Sequence, residues 1–284
     1  MDLLQLIVED TGLLFTRAER VGGGDINAAW CLHAKETKCF LKMNDAALYP
    51  GMFAKEAAGL AALQKHSAAV VPKVIKQGVA GGQQYLLLEW IDGGEPGEDF
   101  WKDFGHMLAH LHQQEQPYFG WTDDNYIGSL PQINTMHANW YSFYAECRIL
   151  PLVAALSGTG RFTPQDGQAA ESVCKKLHTL FPEEPPALLH GDLWSGNYMV
   201  SALGKAAIYD PAVYFGHREM DIGMTKLFGG FQPAFYEAYG EAYPQQKGWQ
   251  QRLPLTQLYP LLVHAVLFGG HYLQEAKEII RRYS

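Results

Sequence analysis

Three polar side chains in this sequence stand in an order and spacing suited to chemistry: Asp192, Asn197 five residues on, and Asp210 thirteen residues after that. The set matches what transfer of a phosphoryl group to an alcohol requires. Asp192 is the candidate base, accepting the proton of an acceptor hydroxyl as it attacks phosphorus. Asn197 and Asp210 offer hard oxygen atoms to Mg2+, which bridges nucleotide phosphates and offsets their charge. Two short apolar runs, Tyr198-Met199-Val200 and Ala206-Ala207-Ile208-Tyr209, flank a Leu203-Gly204-Lys205 turn and end on Asp210. They read as a hairpin that returns the second ligand to the loop holding the base and the first. His190 reads as a structural imidazole tying that loop down.

Phosphates also need a cation and a close-fitting backbone, and the upstream part of the chain has candidates for both. Lys42 lies at the end of a strand after a hairpin turn, placed to reach the α- and β-phosphates of ATP, with Glu56 on the following helix as its ion-pair partner. Taken alone, the two residues read rather as a surface lysine and a solvated glutamate. Gly22, Gly23 and Gly24 permit tight approach of backbone to phosphate, although such a run is often an ordinary turn. Glu89, Trp90 and Ile91 stand where backbone amide and carbonyl groups would pair with an adenine edge; the competing reading is a plain strand end.

The elements that must carry these residues can be read from periodicity. Ala28 to Leu32 and Cys39 to Lys42 form one hairpin signal, and Lys73 to Ala80 and Gln83 to Trp90, joined by Gly81-Gly82, form a second. Phe53 to His66 is helical in spacing and carries Glu56. The cluster Asp92-Gly93-Gly94-Glu95-Pro96-Gly97-Glu98 separates strand-like from helix-like sequence. The expected division is therefore a nucleotide-binding part at 1–91, a linker at 92–98 and a larger catalytic and substrate-binding part at 99–284. In the last, Asp99 can cap a helix striped by Phe100, Phe104, Met107, Leu108 and Leu111. Further helices are expected at Asn139 to Leu156, Thr163 to Phe181, Asp221 to Leu227, Gln232 to Ala242 and Leu255 to Arg281. The fold class is α+β: a small antiparallel sheet with one main helix, then a mostly helical half.

Composition narrows the partners. The 284 residues include 22 basic and 30 acidic side chains, a formal charge of −8. That balance argues against a general nucleic-acid binder, which needs clustered Lys and Arg. Cys31, Cys39, Cys147 and Cys174 include no C-x-x-C pair and read as reduced thiols. Met1 to Asp10 lacks the cationic start and apolar core of a signal peptide, and the apolar stretch Leu258 to Phe268 is too short to span a bilayer. The expected location is the cytoplasm, with no membrane and no obligatory protein partner.

Taken together, Gly22-Gly23-Gly24-Asp25-Ile26-Asn27, His190-Gly191-Asp192-Leu193-Trp194-Ser195-Gly196-Asn197 and Asp210-Pro211-Ala212-Val213-Tyr214-Phe215-Gly216-His217-Arg218-Glu219 make the chain resemble the fructosamine kinases, or ketosamine kinases. Phe119-Gly120, Asp124-Asn125-Tyr126-Ile127-Gly128 and Gln132-Ile133-Asn134 extend the resemblance to nearly the whole length. His-Gly-Asp alone would also fit aminoglycoside and choline kinases; the Leu-Trp-Ser-Gly-Asn continuation is more specific. The resemblance implies a two-lobed, protein-kinase-like fold and phosphorylation by ATP and Mg2+ of the 3-hydroxyl of a ketosamine, carried on a free amino acid or a glycated protein. The product falls apart and releases the amine, so the implied role is deglycation. Ribulosamine, erythrulosamine and fructosamine adducts are the acceptors that the resemblance implies. A small-molecule phosphotransferase of the aminoglycoside or choline type is the alternative, and a nucleotide-binding pseudokinase a third reading, disfavoured because Lys42, Asp192, Asn197 and Asp210 are all present.

Departures from protein kinases are informative. Gly191 stands for the Arg of His-Arg-Asp, Asp210-Pro211-Ala212 for Asp-Phe-Gly, and no Ala-Pro-Glu segment closes an activation loop. Some relatives carry Cys where this chain has Asp25, so redox control there is not expected. Trp194 is the candidate for holding a sugar or the apolar part of an adduct, with core packing as the other reading. Glu219 and Asp221 are candidates for the cationic amine of a ketosamine, Asp221 equally a cap for the next helix. His106, His110 and His112 read as helix surface or core rather than metal ligands.

Overall fold

The computed structural model describes residues 3–22 and 27–284. Two compact units are present: Met1–Phe100 with Asn197–Pro211, and Trp101–Gly196 with Ala212–Ser284. The α+β architecture expected from the sequence is the one observed.

The first unit opens with helix α1 (Leu3–Thr11) and is built on strands β1 (Phe15–Val21), β2 (Ala28–Ala34), β3 (Lys38–Asp45), β4 (Val74–Ala80) and β5 (Gln83–Glu89), with helix α2 (Met52–His66) between β3 and β4. The strands form one antiparallel sheet in the order β1-β2-β3-β5-β4. The β4–β5 hairpin closes through Gly81 and Gly82 at φ 58° and 81°, values a two-residue primed turn demands and glycine adopts without strain. Leu32, Cys39, Leu41, Tyr85 and Leu87 pack with Ile7 of α1 as one core cluster. Alternation along β3 turns Lys42 to the opposite face from Leu41, where α2 carries Glu56.

A second hairpin, β9 (Tyr198–Val200) and β10 (Ala206–Ile208), joins this unit across more than a hundred residues of sequence. Main-chain bonds explain why. Val70 N–H donates to the Ala206 carbonyl and Ile208 N–H to the Val70 carbonyl, both at 2.9 Å, and Gly94 N–H donates to the Val200 carbonyl at 3.0 Å. The sequence groups this hairpin with the downstream half; backbone donors and acceptors that would otherwise be unpaired bring it to the upstream one.

The second unit contains α3 (Phe100–His112), β6 (Asn125–Ile127), β7 (Leu130–Gln132), α4 (Trp140–Phe143), a π-helical turn (Tyr144–Ile149), α5 (Leu150–Gly158), α6 (Pro164–Leu180), β8 (Ala187–Leu189), β11 (Tyr214–Gly216), α7 (Glu219–Leu227), α8 (Pro233–Ala242), α9 (Trp249–Leu267) and α10 (Gly270–Tyr283). Two expected helices differ. The stretch expected as one helix over Asn139 to Leu156 is interrupted by the π turn. The one expected over Leu255 to Arg281 is two helices, because Gly269 and Gly270 both take left-handed φ, 69° and 61°, which ends α9 and redirects the chain. Among the described residues no helix is long and apolar enough to cross a membrane.

Candidate active site

In the first unit the central charge is Lys42. Its residue is 5% exposed, and its ammonium donates to Glu56 Oε1 at 2.7 Å and to Asp210 Oδ1 at 2.5 Å. Burial works against the charge, but the carboxylates of Asp210 and Glu56 outweigh it and hold the lysine pKa above its ordinary value. The ammonium is therefore permanent at any physiological pH. Asp210 has φ 55°, and it is the one non-glycine residue with positive φ among the described residues. Aspartate tolerates that region better than most side chains, and such a conformation at a polar cluster marks a position fixed by its surroundings.

Asn197 is buried on the same hairpin, and its side-chain nitrogen lies 3.5 Å from the Asp210 carbonyl oxygen, which orients Oδ1 away from that carbonyl. An amide oxygen and a carboxylate brought together by one hairpin are a donor set that fits Mg2+ in kind: hard, oxygen-only, and few enough to leave room for phosphate and water.

Of the other upstream candidates, Gly23 and Gly24 lie outside the described residues, as does Asp25. Gly22 follows β1, with nothing within 4 Å of where a Cβ would stand. Asn27, at the far side of the glycine run, accepts a hydrogen bond from Asn44 Nδ2 at 2.7 Å. Glu89 ends β5, its amide donating to the Lys73 carbonyl at 2.8 Å, and Trp90 and Ile91 follow in irregular backbone. The Trp90 indole donates to Asp92 Oδ1 at 3.0 Å, and Lys38 pairs with the same carboxylate.

In the second unit the loop bearing Asp192 is clamped from beneath. Asp221 Oδ2 accepts from the His190 amide at 2.8 Å and Oδ1 from the Gly191 amide at 3.0 Å. The same carboxylate meets His112 Nε2 at 3.1 Å, and His112 Nδ1 meets the Tyr239 hydroxyl at 2.9 Å. A carboxylate only accepts, so Nε2 carries a proton, while the tyrosine hydroxyl can serve Nδ1 as donor or as acceptor. The His190 ring in turn takes the Asp192 amide at 3.3 Å, the structural role expected of it. Gly191 has φ 84°, and a Cβ there would sit 2.0 Å from the Ala212 carbonyl oxygen, so a larger residue cannot occupy the position. Asp221 serves as the anchor of this loop, not as a free ligand for a substrate amine.

Burial raises the Asp221 pKa, but the hydrogen bond and charge of His112 and the amides it binds win, and it falls below the usual carboxylate value. A depressed folded pKa contributes stability above the unfolded value, near 3.9, that is lost as pH falls through the folded value. Asp221→Asn is accordingly expected to cost about 2 kcal/mol at pH 7. The deficit, read from denaturation midpoints, should shrink as pH drops below about 4. A deficit that stays constant across this range would show that the ionised carboxylate is not what anchors the loop.

A buried amide network steadies the segment after Asp210. Asn125 Nδ2 donates to the Val213 carbonyl at 2.8 Å, and Gln132 Nε2 to Asn125 Oδ1 at 2.7 Å and the Ala212 carbonyl at 3.1 Å. Arg148, fully buried in the π turn, donates to Asn134 Oδ1 at 2.7 Å and to the Ile133 carbonyl. Its guanidinium lies over the rings of Tyr214, Phe143 and Tyr259 at 4.1, 4.6 and 5.2 Å.

A small cleft, partly open to solvent, is lined by Asp192, Asp221, Tyr214, Met224, Tyr259 and His264, among others. Trp194 is 36% exposed and lies over Gly196, whose Cβ would meet the indole at 2.4 Å. Glu219 is buried, and Arg252 binds both its oxygens, Nη2 at 2.5 Å and Nε at 2.9 Å. The sequence expectation that Glu219 binds a cationic amine is therefore corrected: its charge is already met by a guanidinium. His106 and His110 are exposed and His112 is buried, and no group of three metal-ligating side chains occurs among the described residues.

Sequence reading missed three supporting residues: His112, Arg148 and Arg252. Only His112 left a signal, because it continues the buried stripe of Phe104 and Leu108 at intervals of four.

A family model described as fructosamine kinase matches residues 3–284. A probable ketoamine kinase of Synechocystis is 41% identical, over 99% of this chain and 95% of the relative. A chloroplastic protein-ribulosamine 3-kinase of Arabidopsis thaliana is 36% identical, over 98% of this chain and 86% of the relative. A crystal structure from Thermobifida fusca, assigned as a fructosamine-3-kinase, superposes with a TM-score of 0.88 at 37% identity, covering 98% of this chain and 96% of that one. An aminoglycoside phosphotransferase in complex with ADP and hygromycin B gives 0.64 at 14% identity, over 99% and 98%, which shows the shared protein-kinase-like fold alone.

Proposed function

The chain belongs to the fructosamine kinase family, and from that premise we propose that it is an ATP-dependent kinase for the 3-hydroxyl of ketosamines. Ribulosamine, erythrulosamine and fructosamine adducts on amino acids or proteins are the substrate class. Phosphorylation leads to release of the amine and so to deglycation. The observation that carries this reading is the buried ammonium of Lys42 held at once by Glu56 and Asp210. A lysine desolvated at the cost of two acids is poorly explained as scaffolding and well explained as a phosphate-binding cation.

In this reading residues 1–91 are the nucleotide-binding lobe, 92–98 the linker and 99–284 the catalytic and substrate-binding lobe. Gly22, Gly23 and Gly24 cover the phosphates, Lys42 binds them with Glu56 fixing its direction, and the backbone of Glu89, Trp90 and Ile91 pairs with adenine. Asn197 and Asp210 would hold Mg2+, which when bound offsets the charge of the phosphates. Asp192 takes the proton of the acceptor hydroxyl as the new oxygen–phosphorus bond forms and the bond to ADP breaks. Trp194 flanks the acceptor. Glu219 is left out, since Arg252 occupies it. Four free thiols suit action in the cytoplasm.

The test is an acceptor screen with ATP and Mg2+, following ADP release. Ribulosyl-lysine, erythrulosyl-lysine and fructosyl-lysine are offered beside a panel of aminoglycosides and choline. Turnover on at least one ketosamine, with phosphate on O3, is the expected result. Phosphate found only on the antibiotics or choline would overturn the assignment, and silence across the whole panel would favour a pseudokinase.

A further inference from the structure

Three polar side chains are buried side by side on the sheet face that turns Lys42 towards Glu56. Lys42 and Asn44 reach it from alternate positions of β3, and Gln84 stands opposite Asn44 in the β3–β5 register. Gln84 fixes the way into α2: its Nε2 donates to the Tyr49 carbonyl at 2.5 Å. The same connection is held by Asp45, which accepts from the Ala47 and Leu48 amides at 2.8 and 3.0 Å, and by the Ala46 amide, which donates to the Gly82 carbonyl at 2.9 Å. The start of α2 is thereby tied to the sheet.

Asn44 makes a different link. Its side-chain nitrogen donates to Asn27 Oδ1 at 2.7 Å and lies 3.1 Å from Met52 Sδ. A thioether sulfur only accepts, so the amide turns its nitrogen to Met52, and Asn27 presents its oxygen to the same nitrogen. Asn44 Oδ1 is left without a hydrogen-bond partner among the described residues, although the residue is only 6% exposed. A buried amide with one end unmet costs stability that an apolar side chain would not. What offsets that cost is the pair of groups joined at its other end.

Those groups come from two different parts of the proposed nucleotide site. Asn27 follows the glycine run and precedes β2, and Met52 is the first residue of α2, one helical turn before Glu56. The β2–β3 ladder begins with Ala28 opposite Met43, one residue too late to hold Asn27 itself. The Asn44 side chain is the bond that carries the hold one residue further, at a point two positions along the strand from Lys42.

We propose that Asn44 is a positioning residue for nucleotide binding: by joining Asn27 to the start of α2 it fixes the end of the glycine run relative to Lys42 and Glu56, so that backbone and ammonium address the same phosphates. Asn44 acts through these partners and not by contact with phosphate or acceptor. The inference rests on the kinase reading above.

The experiment measures ADP binding by calorimetry, with kcat and KM for ATP and for ribulosyl-lysine beside it, on the wild type, Asn44→Ala, Asn27→Ala and the double variant. Each single substitution is expected to weaken ADP binding and raise KM for ATP about tenfold, the loss of one buried hydrogen bond expressed in the bound state. At saturating ATP, kcat and KM for the acceptor should stay within about twofold. The double variant should bind ADP no more weakly than either single one, because both residues act through one bond. Thermal midpoints check the fold, and Asn27→Ala, at a half-buried position, carries the test should Asn44→Ala fail to fold. Unchanged ADP affinity in the folded variants overturns the positioning role and leaves the kinase reading intact. So do losses that add in the double variant, or kcat and acceptor KM damaged as much as ATP binding. A wild type that binds no nucleotide and turns over no ketosamine overturns the kinase reading and this role with it.

Discussion

Asp192→Asn is expected to lower kcat by about 10³-fold while leaving the affinity for ADP or a non-hydrolysable ATP analogue within about twofold of wild type. The substitution is nearly isosteric, and the amides of His190 and Gly191 that hold the loop are untouched by it. What is removed is the capacity to accept the acceptor's proton, a step that matters as the alcohol oxygen attacks. Binding by calorimetry and turnover by ADP release separate the two effects. Unchanged turnover would remove Asp192 from the chemistry, and lost nucleotide binding would mean that its role is in positioning phosphates instead.

Lys42→Ala is the second large effect, and it acts on two quantities at once. With the ammonium gone, Glu56 and Asp210 face each other without the cation that lies 2.7 and 2.5 Å from their oxygens. Breaking a buried pair by removing one partner costs about 3 kcal/mol, because the surviving charge is left desolvated. Activity should fall by about a hundredfold or more in kcat/KM for ATP, since phosphate positioning depends on this cation. Combining Lys42→Ala with Glu56→Gln distinguishes the two consequences. The double variant should recover much of the stability, as the more deeply buried of the two unpaired carboxylates, Glu56, is gone and Asp210 is partly solvated, and none of the activity. The single variant should also gain stability relative to wild type as pH falls from 7 towards 5, because an unpaired buried carboxylate takes up a proton more readily. A Lys42→Ala protein as stable and as active as wild type would contradict the role given to this residue.

How far the sequence leads depends on the range of the interaction concerned. The pairing of β2 with β3 and of β4 with β5 is local, written in alternation and in the Gly81-Gly82 turn, so the strand carrying Lys42 and the helix carrying Glu56 could be placed from periodicity. The spacing of Asp192, Asn197 and Asp210 is likewise confined to nineteen consecutive residues, 192 to 210. Longer-range effects left little trace. Nothing near Glu219 announces that Arg252 will close on it, and nothing near Asp221 announces that two amides preceding Asp192 will settle on its oxygens. The pairing of β8 with β11 and the attachment of the β9–β10 hairpin to Val70 and Gly94 are backbone matters, decided by which donors would otherwise go without acceptors. The break at Gly269-Gly270 was written in the residues themselves, but the apolar period on either side runs across it and masks it.

The π turn at Tyr144–Ile149 carries an implication for how this protein can change over evolutionary time. Such a turn holds one residue more than the α-helix it interrupts. Deleting a single position between 144 and 149 would restore regular winding and keep the helix on either side in phase, but the side chains inside the turn would be redistributed around the axis by about 100° per position. Arg148 would leave its cage of aromatic rings, and the carbonyl and amide it binds at Ile133 and Asn134 would lose their donor. A single deletion in this segment therefore sacrifices the Arg148 contacts while sparing the flanking helix, whereas any further insertion or deletion also breaks its phase.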